Sequence, residues 1–312
     1  MIEFKDVTKR YGSLEAVSHL SFTAEKTQIL GLLGQNGAGK TTTLNILTGY
    51  FPPTSGTVTI DGLDMLTQGR ECRRLIGYLP ERPPLYDEMT VRDYLAFVCR
   101  LREVRENKIR PHIAGIMELC GLEDMDRRLV GTLSKGYRQR VGMAQALCGD
   151  PPVLILDEPT VGLDPRQVVE IRDLIRKAGE SRTVVFSSHT LSEVQQLCSR
   201  VLILHHGRLA SEADLTALGK TDTAVFRLTV LGDPGQVMPA LRSLPCVRRL
   251  KRIPGREKGE GVVCVRLECA TDGEEMPQLP LFRLVTALDT PILSLERESR
   301  SLEEMFLRAT EE

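Results

Sequence analysis

The stretch GQNGAGKTT, Gly34 to Thr42, lies between the apolar run QILGLL and the segment KTTTLNILTG. It fits G-x-x-x-x-G-K-[ST] in the strand-to-helix setting that the pattern requires. The glycines let backbone N–H groups turn inward around phosphates, the helix N-terminus adds positive potential, and Lys40 brings a point charge to the outer phosphates. Thr41 can place its hydroxyl on Mg²⁺. Gly34, Gln35, Asn36, Gly37, Ala38, Gly39, Lys40, Thr41 and Thr42 are therefore candidate nucleotide-binding residues.

A second stretch, PPVLILDEPTVGLD, Pro151 to Asp164, runs four aliphatic residues into two adjacent carboxylates. An apolar run without alternation suits a strand buried on both faces, as in the parallel sheet of an α/β protein. Its acids then stand at the carboxyl edge of the sheet, where open α/β sheets bind ligands. Asp157 supplies the second half of a Mg²⁺–nucleotide site begun by Thr41. A simple nucleotide binder needs no further acid. A hydrolase must orient and deprotonate a water facing the γ-phosphate, and Glu158 is placed for that task.

Bulk properties narrow the setting. The chain has 312 residues, enough for a nucleotide-binding domain and a smaller one. Its 41 basic and 42 acidic residues are interspersed, whereas a general nucleic-acid binder would show a basic excess. No apolar run reaches the ~18–20 residues of a membrane span and the first residues are no signal peptide, so a soluble cytosolic chain is expected. The eight cysteines stand singly, as reduced structural thiols do. His205 and His206 are expected to form the solvated tip of a hairpin.

Along the chain, IEFKDVTKRYG and VSHLSFTAEKTQILGLLG read as β segments, and a helix from Lys40 stops at Gly49. From Leu85 to about Cys148 the pattern turns helical. Thr90 and Asp93 open a helix in the manner of a capping box, with Val91, Tyr94, Leu95, Val98 and Leu101 expected on one face. The core resumes with VLILD, a helix near 165–179, the strand TVVFSSH, the helix LSEVQQLC and a hairpin from Arg200. The character shifts at residues 218–223. TAVFRLTVLG, VVCVRLECA and PILSLERE read as strands with a short helix on either side of the middle one; a charged, Gly-rich loop KRIPGREKGEG intervenes and a helix SLEEMFLRAT ends the chain. The expected fold is α/β, a P-loop core with an antiparallel β subdomain and a helical insert at about 85–150. Residues 1–217 form the ATPase domain and residues 218–312 a small α+β domain.

A third stretch, LSKGYRQRVGMAQAL, Leu133 to Leu147, places Ser134 and Gly136 at the start of a helix shortly before the strand ending in Asp157. This is either an N-cap serine opening an ordinary helix or a second phosphate cradle. A second cradle on one chain suggests that one of the two serves a neighbouring chain.

Over residues 1 to about 215 the sequence resembles the nucleotide-binding subunits of ATP-binding-cassette (ABC) transporters, with several motifs in the family's order. LSKGY resembles the signature motif, VLILDE the Walker B segment with its catalytic glutamate, VGLD the D-loop, and His189 in SSHT the switch histidine. Tyr11 in KRYG matches the aromatic that stacks on adenine. The resemblance implies two copies, or this chain with a paralogue, dimerising head to tail. Each ATP would be clamped between one chain's P-loop and the other's Ser134 and Gly136. His189 would hold the γ-phosphate and the attacking water.

Two positions depart from the pattern. Lys135 and Tyr137 stand where the signature usually has Gly and Gln. Glu81 stands in the Q-loop, IGYLPERPPLY, where Gln normally contacts Mg²⁺; it is either a Mg²⁺ ligand or a structural loop acid. LPE and SLEEMFL resemble the branch that works with separate exporter-type permeases. That implies an ATPase subunit peripheral on the inner face of the cell membrane through an integral permease, with no nucleic-acid partner. The other reading is a non-transport cassette ATPase acting on ribosomes or DNA; such proteins usually carry two cassettes or a coiled-coil insertion, which this chain lacks. In PERPPLYDEM, Leu85 and Tyr86 either receive a permease helix or pack under the insert.

Overall fold

The computed structural model describes residues 1–216, 223–254, 261–270, 276–298 and 302–310. The expected boundary at 217–218 and the Gly-rich part of the loop at 255–260 lie outside the described residues. Two compact units are present, one running from Met1 to Leu215 and taking in the chain end from Phe306, the other spanning Thr216–Met305.

The first unit opens with β1 (Ile2–Tyr11) and β2 (Leu14–Ala24), followed by β3 (Ile29–Leu33) and α1 (Lys40–Leu47). Then come β4 (Ser55–Ile60), β5 (Leu63–Asp64), α2 (Gly69–Arg74) and β6 (Ile76–Leu79). The helical insert supplies α3 (Val91–Leu101), α4 (Glu106–Cys120) and α5 (Lys135–Leu147). The chain returns as β7 (Val153–Asp157), α6 (Pro165–Gly179), β8 (Thr183–Ser188), α7 (Leu191–Leu197), β9 (Arg200–His205) and β10 (Arg208–Asp214).

Six strands form a sheet in the order β10-β9-β3-β8-β7-β6, parallel except for the β9–β10 pair. Every residue of β7 and β8 is buried, as a strand covered on both faces requires. Because β3, β7, β8 and β9 run parallel, Leu33, Asp157, Ser188 and His205 end on one edge. A second, antiparallel sheet has the order β2-β1-β4-β5. Its Ile2, Phe4, Val17 and Leu20 share a core with Leu30, Leu32, Ile155 and Leu202 of the first sheet.

Local chemistry sets the helix limits. The Thr90 hydroxyl accepts from Asp93 N and caps α3; Asp164 accepts from the amides of Arg166 and Gln167, with Pro165 at the first position of α6. Gly49 adopts φ 69° just past α1, a conformation that suits glycine. Val91, Tyr94, Leu95 and Val98 are buried as expected, but Leu101 is 66% exposed. At 100° per residue Leu101 drifts off the seam, and the next residue takes its place. The Arg102 guanidinium is drawn inward, donating to the carbonyls of Arg73 (2.9 Å) and Ile76 (2.6 Å), and burial lowers its pKa.

The second unit comprises β11 (Thr223–Leu231), α8 (Pro234–Ser243), β12 (Val247–Arg252), β13 (Val262–Ala270), α9 (Gln278–Ala287) and β14 (Ile292–Glu298). Its antiparallel sheet runs β12-β13-β11-β14. Val237 and Leu241 of α8 and Leu281 and Val285 of α9 close a core over Phe226, Leu228, Val263, Val265 and Leu267. Strand β12 is an addition to the three expected. The last helix, α10, spans Leu302–Thr310. All eight cysteines are unpaired and seven are buried.

Candidate functional site

A cleft of about 660 Å³ opens at the carboxyl edge of the six-stranded sheet. Its floor is the loop joining β3 to α1, with Gly37 at φ 82° and Gly39 at φ 99°, conformations that turn amides toward a ligand and that residues with a Cβ rarely adopt. Gln35, Asn36, Gly37, Ala38, Gly39, Lys40, Thr41 and Thr42 line it. Gly34 lies beneath: a Cβ there would fall 2.6 Å from the Leu204 carbonyl oxygen.

The Lys40 ammonium donates to the carbonyls of Gly34 (2.7 Å) and Gln35 (3.3 Å) and lies 3.3 Å from Glu158 Oε1. Glu158 follows the last residue of β7 with a left-handed φ of 46°, a strained backbone for a non-glycine residue. Its amide is held by the Ser187 hydroxyl at 2.9 Å. Across the cleft mouth, His189 Nδ1 is 2.9 Å from Glu158 Oε2. Glu158 and His189 both line the cleft, so two residues 31 apart in sequence meet as a polar pair.

Asp157 accepts from Ser187 Oγ at 2.7 Å and from Thr41 Oγ1 at 3.4 Å. Burial pushes its carboxyl above the ordinary range, the two hydroxyls oppose that shift, and the charges of Glu158 and Glu81 add to it. A buried carboxylate crowded by two acids and faced by a threonine hydroxyl suits a divalent cation. No group of three or more His, Cys, Asp or Glu poised for a metal exists among the described residues. The Thr41 hydroxyl and the Asp157 carboxylate, 3.4 Å apart, are oxygen donors of the kind that could hold Mg²⁺. Glu81 lines the same cleft.

Tyr11, which also lines the cleft, is 42% exposed, set edge-on to Phe51 at 6.0 Å, with Lys9 Nζ 5.2 Å from its ring. Leu14, Glu15 and Ala16 continue this wall. Ser134 and Gly136 are not among the lining residues. Ser134 caps α5, accepting from Tyr137 N, and a Cβ on Gly136 would meet the Gln167 side chain within 2.7 Å. The Lys135 amine lies against Gly162, itself at φ 70°.

The hairpin expected at His205 and His206 is present, with His206 exposed at its tip, but the tip also makes contacts within the fold. His206 and Gly207 both take positive φ, 45° and 76°, between the paired His205 and Arg208, as a two-residue hairpin turn of type I′ does. Gly207 N donates to the Ala38 carbonyl (3.1 Å) and the Gly207 carbonyl accepts from Ser18 N (2.8 Å). The tip is thereby tied to the phosphate loop, and His206 lines the cleft. Ser187, also unforeseen, lies in the TVVFSSH strand one residue before the sheet edge. The one signal for it in the sequence is a hydroxyl pair at the end of an apolar run.

The family profile described as ABC transporter matches residues 17–161. The chain is 40% identical over 222 residues to the bacitracin transport ATP-binding protein BcrA of Bacillus licheniformis, covering 70% of this chain and 72% of that one. It is 30% identical over 314 residues to the linearmycin resistance ATP-binding protein LnrL of Bacillus subtilis, covering 99% of this chain and 98% of the relative. Among solved structures, a dimeric post-hydrolysis state of an ATP-binding cassette bound to ADP and Pi superposes with a TM-score of 0.64 at 26% identity, covering 69% of this chain and 99% of that one.

Proposed function

The chain belongs to the ATP-binding proteins of ABC transporters, and on that premise we propose that Glu158 is the general base of an ATPase that drives a separate export permease. One observation carries this reading: the Glu158 carboxylate stands between the Lys40 ammonium and the His189 imidazole in the phosphate-loop cleft.

In the proposed cycle the backbone of Gly34–Thr42 cradles the phosphates of ATP, and Lys40 neutralises their charge in ground and transition states alike. Tyr11 stacks on adenine. Glu158 orients a water and takes its proton while His189 holds the γ-phosphate and that water. Thr41 and Asp157 would hold Mg²⁺, with Glu81 beside them; the bound ion neutralises charge on the outer phosphates. The chain dimerises head to tail around ATP, and the partner's Ser134 and Gly136 complete each site. Their place outside the chain's own cleft supports a role in trans.

Among the described residues no helix is long and apolar enough to cross a membrane. A separate integral permease would then hold the chain at the inner face of the cell membrane. Transport and resistance, named for the two relatives, support export.

Glu158→Gln tests the reading. Turnover is expected to fall by about 10²–10⁴-fold with ATP binding retained and an ATP-bound dimer accumulating on size-exclusion chromatography. Turnover within about threefold of wild type would remove Glu158 from the role of base.

A further inference from the structure

Glu193 is a buried carboxylate, 9% exposed, on α7, and the proposed chemistry does not use it. Among the described residues no cationic side chain pairs with it. Its Oε2 instead accepts two hydroxyl hydrogen bonds, from Thr160 Oγ1 and from Ser188 Oγ, each 2.8 Å long. Ser188 Oγ in turn accepts from the Thr190 amide at 2.9 Å. A carboxylate withdrawn from water is costly unless hydrogen-bonded, so the two hydroxyls are held tightly to it.

The donors occupy telling positions. Thr160 lies two residues past Glu158, and Ser188 lies immediately before His189. One oxygen atom therefore joins the loop after β7, which carries Glu158, to the loop after β8, which carries His189. The backbone at Glu158 is left-handed and persists only if its surroundings hold it. The Ser187 hydroxyl holds the amide side of that residue, while the Glu193 bridge holds the chain just beyond it.

We propose that Glu193 is a positioning residue for ATP hydrolysis, clamping the two loops so that Glu158 and His189 meet at 2.9 Å over the reacting phosphate. The inference rests on the functional reading above. It separates Glu193 from the binding machinery: the clamp's hydrogen bonds join Thr160, Ser188 and Thr190 rather than the phosphate loop or the wall at Tyr11, so its loss acts on the chemical step. A displacement of about 1 Å at a reacting pair costs on the order of 10²-fold in rate.

The test is steady-state ATPase kinetics of Glu193→Ala and Glu193→Gln, with wild type and Glu158→Gln run alongside. ATP affinity is read by calorimetry and folded fraction by circular dichroism. The alanine variant is expected to lose about 10²-fold in kcat with ATP affinity unchanged. The glutamine variant keeps an acceptor oxygen of the same reach and is expected to restore most of that rate. Wild-type kcat in Glu193→Ala, or equal loss in both variants, would overturn the clamp, as would a fall in ATP affinity that tracks kcat.

If the alanine variant fails to fold, Thr160→Val and Ser188→Ala each cut one arm. Each should lower kcat at constant affinity, and their combination should cost less than the product of the two; unchanged kcat in both would overturn the proposal. An inactive wild type, or an active Glu158→Gln, would instead strike at the functional reading itself.

Discussion

Lys40 Nζ lies 3.3 Å from Glu158 Oε1, with both side chains almost wholly buried. The cation proposed to bind phosphate and the carboxylate proposed to activate water are thus partners within the chain. Lys40→Ala should do two things at once. It lowers ATP affinity by removing phosphate neutralisation, and it destabilises the fold by roughly 3 kcal/mol by leaving a buried carboxylate without its cation. Adding Glu158→Gln removes the stranded charge and should restore part of that loss. A double-mutant cycle by urea denaturation is expected to show a coupling of about 1–3 kcal/mol. Additive effects would mean that the contact carries no energy.

Ser134 separates capping from a trans contact. Aspartate caps a helix as well as serine and its charge suits the helix N-terminus, so Ser134→Asp should leave the thermal midpoint unchanged or slightly raised. Facing a partner's γ-phosphate, the same carboxylate would repel it. ATPase activity is then expected to fall by about 10²-fold, and the ATP-bound dimer of a Glu158→Gln background should not form. A normal dimer on size-exclusion chromatography would place the signature helix away from the nucleotide interface.

Gly207 ties the hairpin tip to the phosphate loop. A Cβ there would stand 2.7 Å from the Ala16 carbonyl oxygen, and the residue sits at φ 76°. Since neither backbone can yield cheaply, Gly207→Ala should cost more than about 1 kcal/mol and also loosen ATP binding through the Gly207–Ala38 hydrogen bond. Calorimetry showing loss of stability with undiminished affinity would show that the tip supports the fold without shaping the cleft.

The parts of this architecture that could be read in advance are those with a one-dimensional signature. QILGLL, VLILD and TVVFSS are mostly apolar because their strands are covered on both faces, and each leads into the site, at Gly34, at Asp157 and Glu158, and at His189. Strand β12 escaped because Val247–Arg252 carries four basic residues and no alternation. Among the described residues it stands at the edge of its sheet beside β13, and an edge strand tolerates such charge. Leu101 was misplaced because a five-residue apolar stripe ignores the competing pull of Arg102. Ser187, Glu193 and His206 were hidden for a different reason. Ser187 reaches Asp157 and Glu158, Glu193 reaches Thr160, and His206 joins the cleft of the phosphate loop, and these segments become neighbours only once the order β9-β3-β8-β7 is known. Periodicity does not encode strand order.

Tyr86 tests the proposed link to the permease. It lies on the loop between β6 and α3, 48% exposed, with its ring 5.6 Å from Phe97 and 5.9 Å from the buried Tyr94. Leu85 beside it is half-buried, and the adjoining Asp87 is fixed by an ion pair to Arg138 on α5. The insert therefore holds one edge of the Tyr86 ring while the rest faces outward, and a half-exposed aromatic on a supported loop suits the grip of a short helix. Removal of the ring should leave the isolated chain's ATPase within about twofold of wild type and shift stability by less than about 1 kcal/mol, since little of the core is lost. In membranes reconstituted with the permease, Tyr86→Ala should lower transport per ATP hydrolysed. A large loss of thermal stability, with transport per ATP unchanged once corrected for folded protein, would show that Tyr86 serves the packing of the insert and that the permease docks on another surface.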